Sequence, residues 1–300
     1  MGLYSVEKNS IVAVLSIYRR PQYFKEQVES LLNQTIPPRE IFIWINKHED
    51  NVDFVETELE GILNSFHFEG FRVIKNDFNW KFHGRFSIAQ MAQSEYVCVL
   101  DDDTIPGNQW FENCLTSMRL RNGMMGAIGE VYFLNHHRHI MLKTIQGWRA
   151  NNTTIKQVDV IGHSWFFRKE WLKYLWFEEP LSWEVCEDVQ FSYCLQKYGG
   201  INSYCPPQPV DTPSFNSSLK GYEYGGDEVA SYILYTKDWN GVDSIRVKVY
   251  SEYIFKRNFK LINGNNLIDT TQGVGGIAKE AGHWNNGQSK YTTVRRAKDE

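Results

Sequence analysis

An open α/β sheet flanked by helices is the fold class this sequence predicts, on three observations. Continuous apolar, largely β-branched runs stand at Ile11–Ile17 and Ile41–Ile45, the pattern of strands covered on both faces in a parallel sheet. An amphipathic helical stripe lies between them. A third apolar run, Tyr96–Leu100, leads straight into Asp101-Asp102-Asp103, and alternation of strand with helix argues for an open α/β sheet.

Each element has a local reason. Pro21 opens the first helix, because its fixed φ and missing N–H suit a first turn. Phe24, Val28, Leu31 and Leu32 then follow at i, i+4, i+7 and i+8 and form one apolar stripe. Pro37-Pro38 ends it, and the second strand stops at Asn46, so the first 46 residues read as a β-α-β unit. Phe71–Lys75 is a further strand. After Pro106 a helix carries Trp110, Phe111, Cys114, Leu115 and Met118 on one side and ends near Gly123. Strands are expected at 127–133 and 158–167. Glu187-Asp188 starts a helix with Val189, Phe191, Cys194, Leu195 and Tyr198, closed by Gly199-Gly200, and two acids in its first turn suit the dipole. Residues 205–226, rich in Pro, Ser, Gly and Asn, predict a long irregular connection, a kind of segment that often carries function. Residues 227–262 read as partly helical, and the last 38 residues as a loosely packed tail.

Composition narrows the class of protein. With 32 Lys+Arg against 36 Asp+Glu, a net charge of −4 and 42 % hydrophobic residues, the chain reads as one or two globular domains. At this length roughly three quarters of the unfolded surface becomes buried, so no disulfide or structural metal is needed to hold a core. The lack of a basic block counts against nucleic acid or an anionic membrane as partner. No N-terminal segment reads as a secretory signal, and no apolar run approaches the roughly 18 residues of a membrane helix. A cytoplasmic location is the expectation. Five cysteines at irregular spacing, without a Cys-x-x-Cys pair, read as core-filling thiols.

Three places carry chemistry. Asp101-Asp102-Asp103 puts three carboxylates at the carboxyl end of a strand, where open α/β sheets bind ligands. Their repulsion is offset by a hard divalent cation, Mn²⁺ or Mg²⁺, or by solvent alone if the triplet is only an acidic turn capping the next helix. Neither a P-loop nor a Gly-x-Gly-x-x-Gly follows the first strand, so a bound diphosphate would be held by metal and side chains. Arg85, within Asn79–Phe86, can fork onto phosphate or a base edge, or serve as an ordinary surface arginine. Glu187-Asp188, preceded by Trp183 and Cys186, offers a partly desolvated carboxylate able to act as a base near neutral pH, or simply an acidic helix start. Gly162-His163-Ser164-Trp165 supplies either a binding loop or structure.

Taken together, the chain resembles the family-2-like glycosyltransferases of the GT-A fold over about residues 10–210. Four places carry the likeness: Val14–Pro21 with Ser30–Thr35, Ile41–Asn46, Leu100–Thr104, and Glu187-Asp188-Val189 within Trp183–Tyr193. The resemblance implies a GT-A, Rossmann-like open mixed sheet over residues 1–215, with a nucleotide-sugar half at about 10–103 and an acceptor half at 104–215. Residues 216–300 would form a partly helical C-terminal extension. It implies a nucleotide diphosphate sugar donor, a uridine one in our expectation, and a glycan or glycoconjugate acceptor. Ser16, Tyr18, Arg19 and Asn46 would border the nucleobase, and Asp101 and Asp102 the ribose and diphosphate. Asp103, with Asp101, would bind the metal. Arg85 is similar to an arginine that exostosin-like relatives place against the donor. Asp188, or else Glu187, would take the acceptor proton in an inverting reaction. The processive-synthase motif Gln-x-x-Arg-Trp and membrane helices are both missing, which counts against polymer export.

Aromatic residues make up 15 % of the chain and crowd residues 148–183, between the two acidic motifs. They build a core or a sugar platform; Trp165 and Trp183, with His163, are the residues expected at the acceptor. Two rival readings are a carbohydrate-binding protein that has lost catalysis on the same fold and a metal-dependent phosphohydrolase.

Overall fold

The computed structural model describes residues 7–135, 140–225 and 245–264, with two strand segments at 267–268 and 293–294. In chain order the strands are β1 (Glu7–Ile17), β2 (Glu40–Ile45), β3 (Phe71–Lys75), β4 (Ser94–Leu100), β5 (Gly123–Asn135), β6 (Ile140–Gly147), β7 (Lys156–Val158), β8 (Val160–Arg168), β9 (Asn202–Cys205), β10 (Leu267–Ile268) and β11 (Thr293–Val294). The helices are α1 (Phe24–Leu32), α2 (Val52–Thr57), α3 (Leu59–Ser65), α4 (Gly84–Ala89), α5 (Trp110–Leu120), α6 (Leu172–Leu175), α7 (Glu187–Cys194), α8 (Gly221–Tyr224) and α9 (Ile245–Ser251).

The main path of the sheet runs β11-β6-β5-β8-β4-β1-β2-β3. On one side β3, β2, β1 and β4 are parallel. β8 then enters antiparallel to β4, and β5 antiparallel to β8, with β6 antiparallel beyond. The expected open mixed sheet is therefore the fold, and it is the GT-A architecture. Ile11–Leu15 and Val97–Leu100 are completely buried, as two-sided cover requires. All five cysteines are free and buried.

Several elements differ from their sequence expectation. Pro21–Tyr23 forms a separate 3₁₀ turn ahead of α1. The strand expected at 158–167 is split at Asp159 into β7 and β8, because Asp159 turns its carboxylate to the Tyr132 N–H at 2.7 Å and the Ile262 N–H at 2.7 Å. Helices α2 and α3, whose Val55, Leu59, Ile62 and Leu63 fall at i, i+4, i+7 and i+8 and pack on the core, and strands β6 and β9 are additions to the expected elements. Trp165, Phe166, Phe167 and Trp171 are buried in the main core, so most of the aromatic crowd is packing. Residues 206–225 fold back across α5 and the acidic triplet, with Gly107 N–H donating to Asn216 O at 2.8 Å and Leu219 N–H to Ile105 O at 2.8 Å. Tyr224 stacks on Tyr23 at 3.7 Å. Residues 245–264 pack a second apolar cluster against α7, where Tyr253 meets Tyr193 at 4.6 Å. The helical expectation for 227–244, and nearly all of the expected tail, fall outside the described residues.

Candidate active site

The acidic triplet leaves β4 into a tightly held turn. Asp101 N–H donates to His163 O at 2.9 Å and Thr104 Oγ1 donates to the same oxygen at 3.0 Å. From α1, Gln27 Nε2 donates to Asp101 O at 2.7 Å and to Thr104 O at 3.0 Å. The carboxylates are thus fixed by two neighbouring elements.

Asp101 and Asp103 each divide their two oxygens between an arginine and a shared space. Asp101 Oδ1 pairs with Arg85, while Oδ2 faces His163 Nδ1 at 3.5 Å. Asp103 Oδ2 lies 3.3 Å from Arg20, while Oδ1 faces the same imidazole at 3.7 Å. Asp102 turns away to Arg20 at 2.9 Å. One ligand atom from each of Asp101, Asp103 and His163 lies within 4.8 Å of the others. Two hard carboxylate oxygens and an imidazole suit Mn²⁺ or Mg²⁺, which leave further positions to water and diphosphate. The residues present therefore fit such a cation. His163, expected at the acceptor, stands here as a third donor; its φ of +64° is a strained backbone of the kind found at functional sites. Trp148 tilts on its ring at 4.6 Å. A Cβ at Gly225 would meet Asp103 Oδ2 at 2.8 Å, so the end of the 206–225 connection lies directly on this acid.

Electrostatics separates the acids. Burial opposes charge on Asp103, but the hydrogen bond and charge of His163 together with Arg20 outweigh it and hold the carboxyl below its ordinary value. In turn Asp103 and Asp101 raise the His163 imidazole against the effect of burial. Asp102 is pushed up to about 6 by burial, against Arg20, with its two acidic neighbours adding to the rise.

Arg85 joins the two acidic motifs. Presented by α4 and buried, it donates Nη1 to Asp101 and Nη2 to Glu187 Oε1 at 2.9 Å, and its guanidinium lies over the Trp165 ring at 4.6 Å. Cys186, in left-handed backbone at φ +74°, turns the chain into α7. Glu187 is pushed up to about 7 by burial and by the charge of Asp188, against Arg85. Asp188 is half-buried; Oδ1 accepts the Val189 N–H at 2.7 Å, and Oδ2 is 4.0 Å from Arg246 of α9. Burial raises its carboxyl, Arg246 lowers it and Glu130 raises it again. His83, whose titration burial and Arg85 push down to about 4, is a neutral base of the α4 turn.

Beyond the ends of β1 and β2, Asn46 anchors a polar network. Its Nδ2 donates to Asn79 Oδ1 at 2.8 Å, and Asn79 Nδ2 donates to Tyr18 Oη at 2.9 Å. Arg19 pairs with Asp50 at 2.9 Å, and Ser16 is half-buried near the end of β1. The two rings expected at the acceptor separate. Trp165 is buried, with Nε1 bonded to Ile161 O at 3.1 Å and Arg85 on its face, which leaves no face for a sugar. Trp183 is 52 % exposed, 5.0 Å from the ring of His83.

Sequence reading overlooked Arg20, Glu130 and Arg246. Arg20 was visible directly after the first strand; Arg246 and Glu130 have no local signal, since only packing brings them to Asp188. The model of the family described as glycosyl transferase family 2 matches residues 12–176, a span that includes Arg85, Asp101–Asp103 and His163 and ends before Glu187. No curated protein matches the chain.

Proposed function

Because the chain belongs to glycosyl transferase family 2, we propose that this glycosyltransferase moves a sugar, with inversion, from a uridine diphosphate donor to a glycan or glycoconjugate hydroxyl. The observation that carries the reading is the convergence of Asp101, Asp103 and His163 at the carboxyl end of β4, joined through Arg85 to Glu187 beside Asp188. Asp103, Asp101 and His163 would hold the cation. When bound, it supplies positive charge that offsets the negative charge appearing on the leaving diphosphate.

Asp188 is the better proton acceptor of its pair. Glu187 is committed to Arg85 at 2.9 Å, whereas among the described residues Asp188 has no cationic partner closer than 4.0 Å and stays partly open. Its raised carboxyl suits general base work near neutral pH. The acceptor hydroxyl gives its proton to Asp188, its oxygen attacks the anomeric carbon, and the bond from that carbon to phosphate breaks with its electron pair leaving on the diphosphate. Buried Arg85 keeps the donor and base motifs in fixed register. Asn46, Asn79 and Tyr18 offer hydrogen-bonding groups for the base, and Trp183 a stacking face for the acceptor.

A panel of nucleotide diphosphate sugars, assayed for turnover with Mn²⁺ and after chelation, tests this reading. Asp188→Asn should lower kcat at least about a hundredfold with uridine diphosphate affinity kept. Unchanged turnover in that variant removes Asp188 from the mechanism, and no turnover of any donor by the parent chain removes the proposed reaction.

A further inference from the structure

Residues 245–264 lie outside the family match and close one wall of the site. α9 puts Arg246 and Tyr250 one turn apart on one face, with the guanidinium over the Tyr250 ring at 5.9 Å. Tyr250 meets Tyr132 edge-on at 5.5 Å, and Tyr132 Oη donates to Glu130. The segment is firmly seated. Arg257 pairs with Glu178, Lys260 and Gln196 exchange two hydrogen bonds at 2.9 Å, and Ile262 N–H reaches buried Asp159.

We infer that Arg246 is a positioning residue for the proton acceptor, its charge aiming Asp188 Oδ2 into the site and keeping the carboxylate ionised as the acceptor arrives. The inference rests on Asp188 being the base. Asp188 faces Arg246 and Tyr250 from α9, Glu130 from β5, Arg85 from α4, and Glu187 and Cys186 from its own turn. Of the two arginines, Arg85 is already shared between Asp101 and Glu187. Arg246 is therefore the main counterweight to burial and to two neighbouring acids. At 4.0 Å the pair is too long for a direct hydrogen bond, so the arginine holds the charge without occupying the oxygen that must take the proton. Nothing local in the sequence announces this; it follows from α9 docking beside α7.

The test is the pH profile of kcat/KM for the full chain with Mn²⁺ and its donor, with uridine diphosphate binding measured by calorimetry. Arg246→Met should move the acidic limb upward by about one pH unit or more, a tenfold effect on base ionisation, with recovery toward high pH and nucleotide affinity within about twofold of the parent. Arg246→Lys should keep the limb near its original place. An unmoved limb, a loss equal at every pH, or collapse of nucleotide binding each overturns the inference. Should R246M not fold, R246Q makes the same comparison. Asp188→Asn separates the two ideas: if it turns over normally the base reading fails, and if it is inactive while the R246M limb stays in place, only the role of Arg246 fails.

Discussion

Glu187→Gln is expected to stabilise the protein at alkaline pH while damaging the site. Glu187 is 6 % exposed, and burial, then the charge of Asp188, raises its carboxyl from an ordinary 4.5 to about 7 in spite of Arg85. Since this folded-state value exceeds the unfolded one, the folded chain holds the extra proton between those two values. Stability from this group therefore falls as pH rises through that window, and the loss is complete above about pH 7. At about 1.36 kcal/mol per unit, the ionised carboxylate costs the fold about 3 kcal/mol. Glutamine keeps the shape and an oxygen for Arg85 Nη2, whose bond to Glu187 is 2.9 Å, but it never ionises. In thermal unfolding without divalent cations, the variant should exceed the parent by about 5 °C near pH 8.5, and by less than about 1 kcal/mol near pH 5. A variant less stable than the parent at the alkaline end, or a gap of the same size at both ends, would refute the argument that this carboxylate is a strained, partly protonated group. The trade is the usual one between stability and an active site.

Asp103→Asn should weaken Mn²⁺ binding by about tenfold or more, read by calorimetry, because one of two hard oxygen donors becomes a neutral amide; binding equal to the parent would move the cation elsewhere. Trp165→Ala should lower stability by about 3–5 kcal/mol in denaturant titration, since the ring is buried under Arg85. Trp183→Ala should leave stability within about 0.5 kcal/mol and raise the acceptor KM alone. If the two tryptophans exchanged these phenotypes, the division between core and rim would be wrong.

The sequence by itself determined the parallel half of the sheet, because Ile11–Ile17, Ile41–Ile45 and Tyr96–Leu100 each carry a run of apolar residues that a buried strand satisfies, while the half-exposed Phe71–Lys75 lies at the sheet edge. It also located the two acidic motifs, because adjacent carboxylates at a strand end or a helix start are visible in the local order of residues. Tertiary structure decided the rest. That each of Asp101 and Asp103 turns one oxygen to His163 and the other to an arginine depends on β8 crossing antiparallel beside β4. The difference between Trp165 and Trp183 is a difference of burial, which composition does not encode. Arg246 reaches Asp188 across 58 positions of sequence because an apolar face of residues 245–264 is buried against α7. Patterns of three or four residues report the element that a side chain belongs to, whereas its partners across the molecule are chosen only when the apolar faces of those elements close on one another.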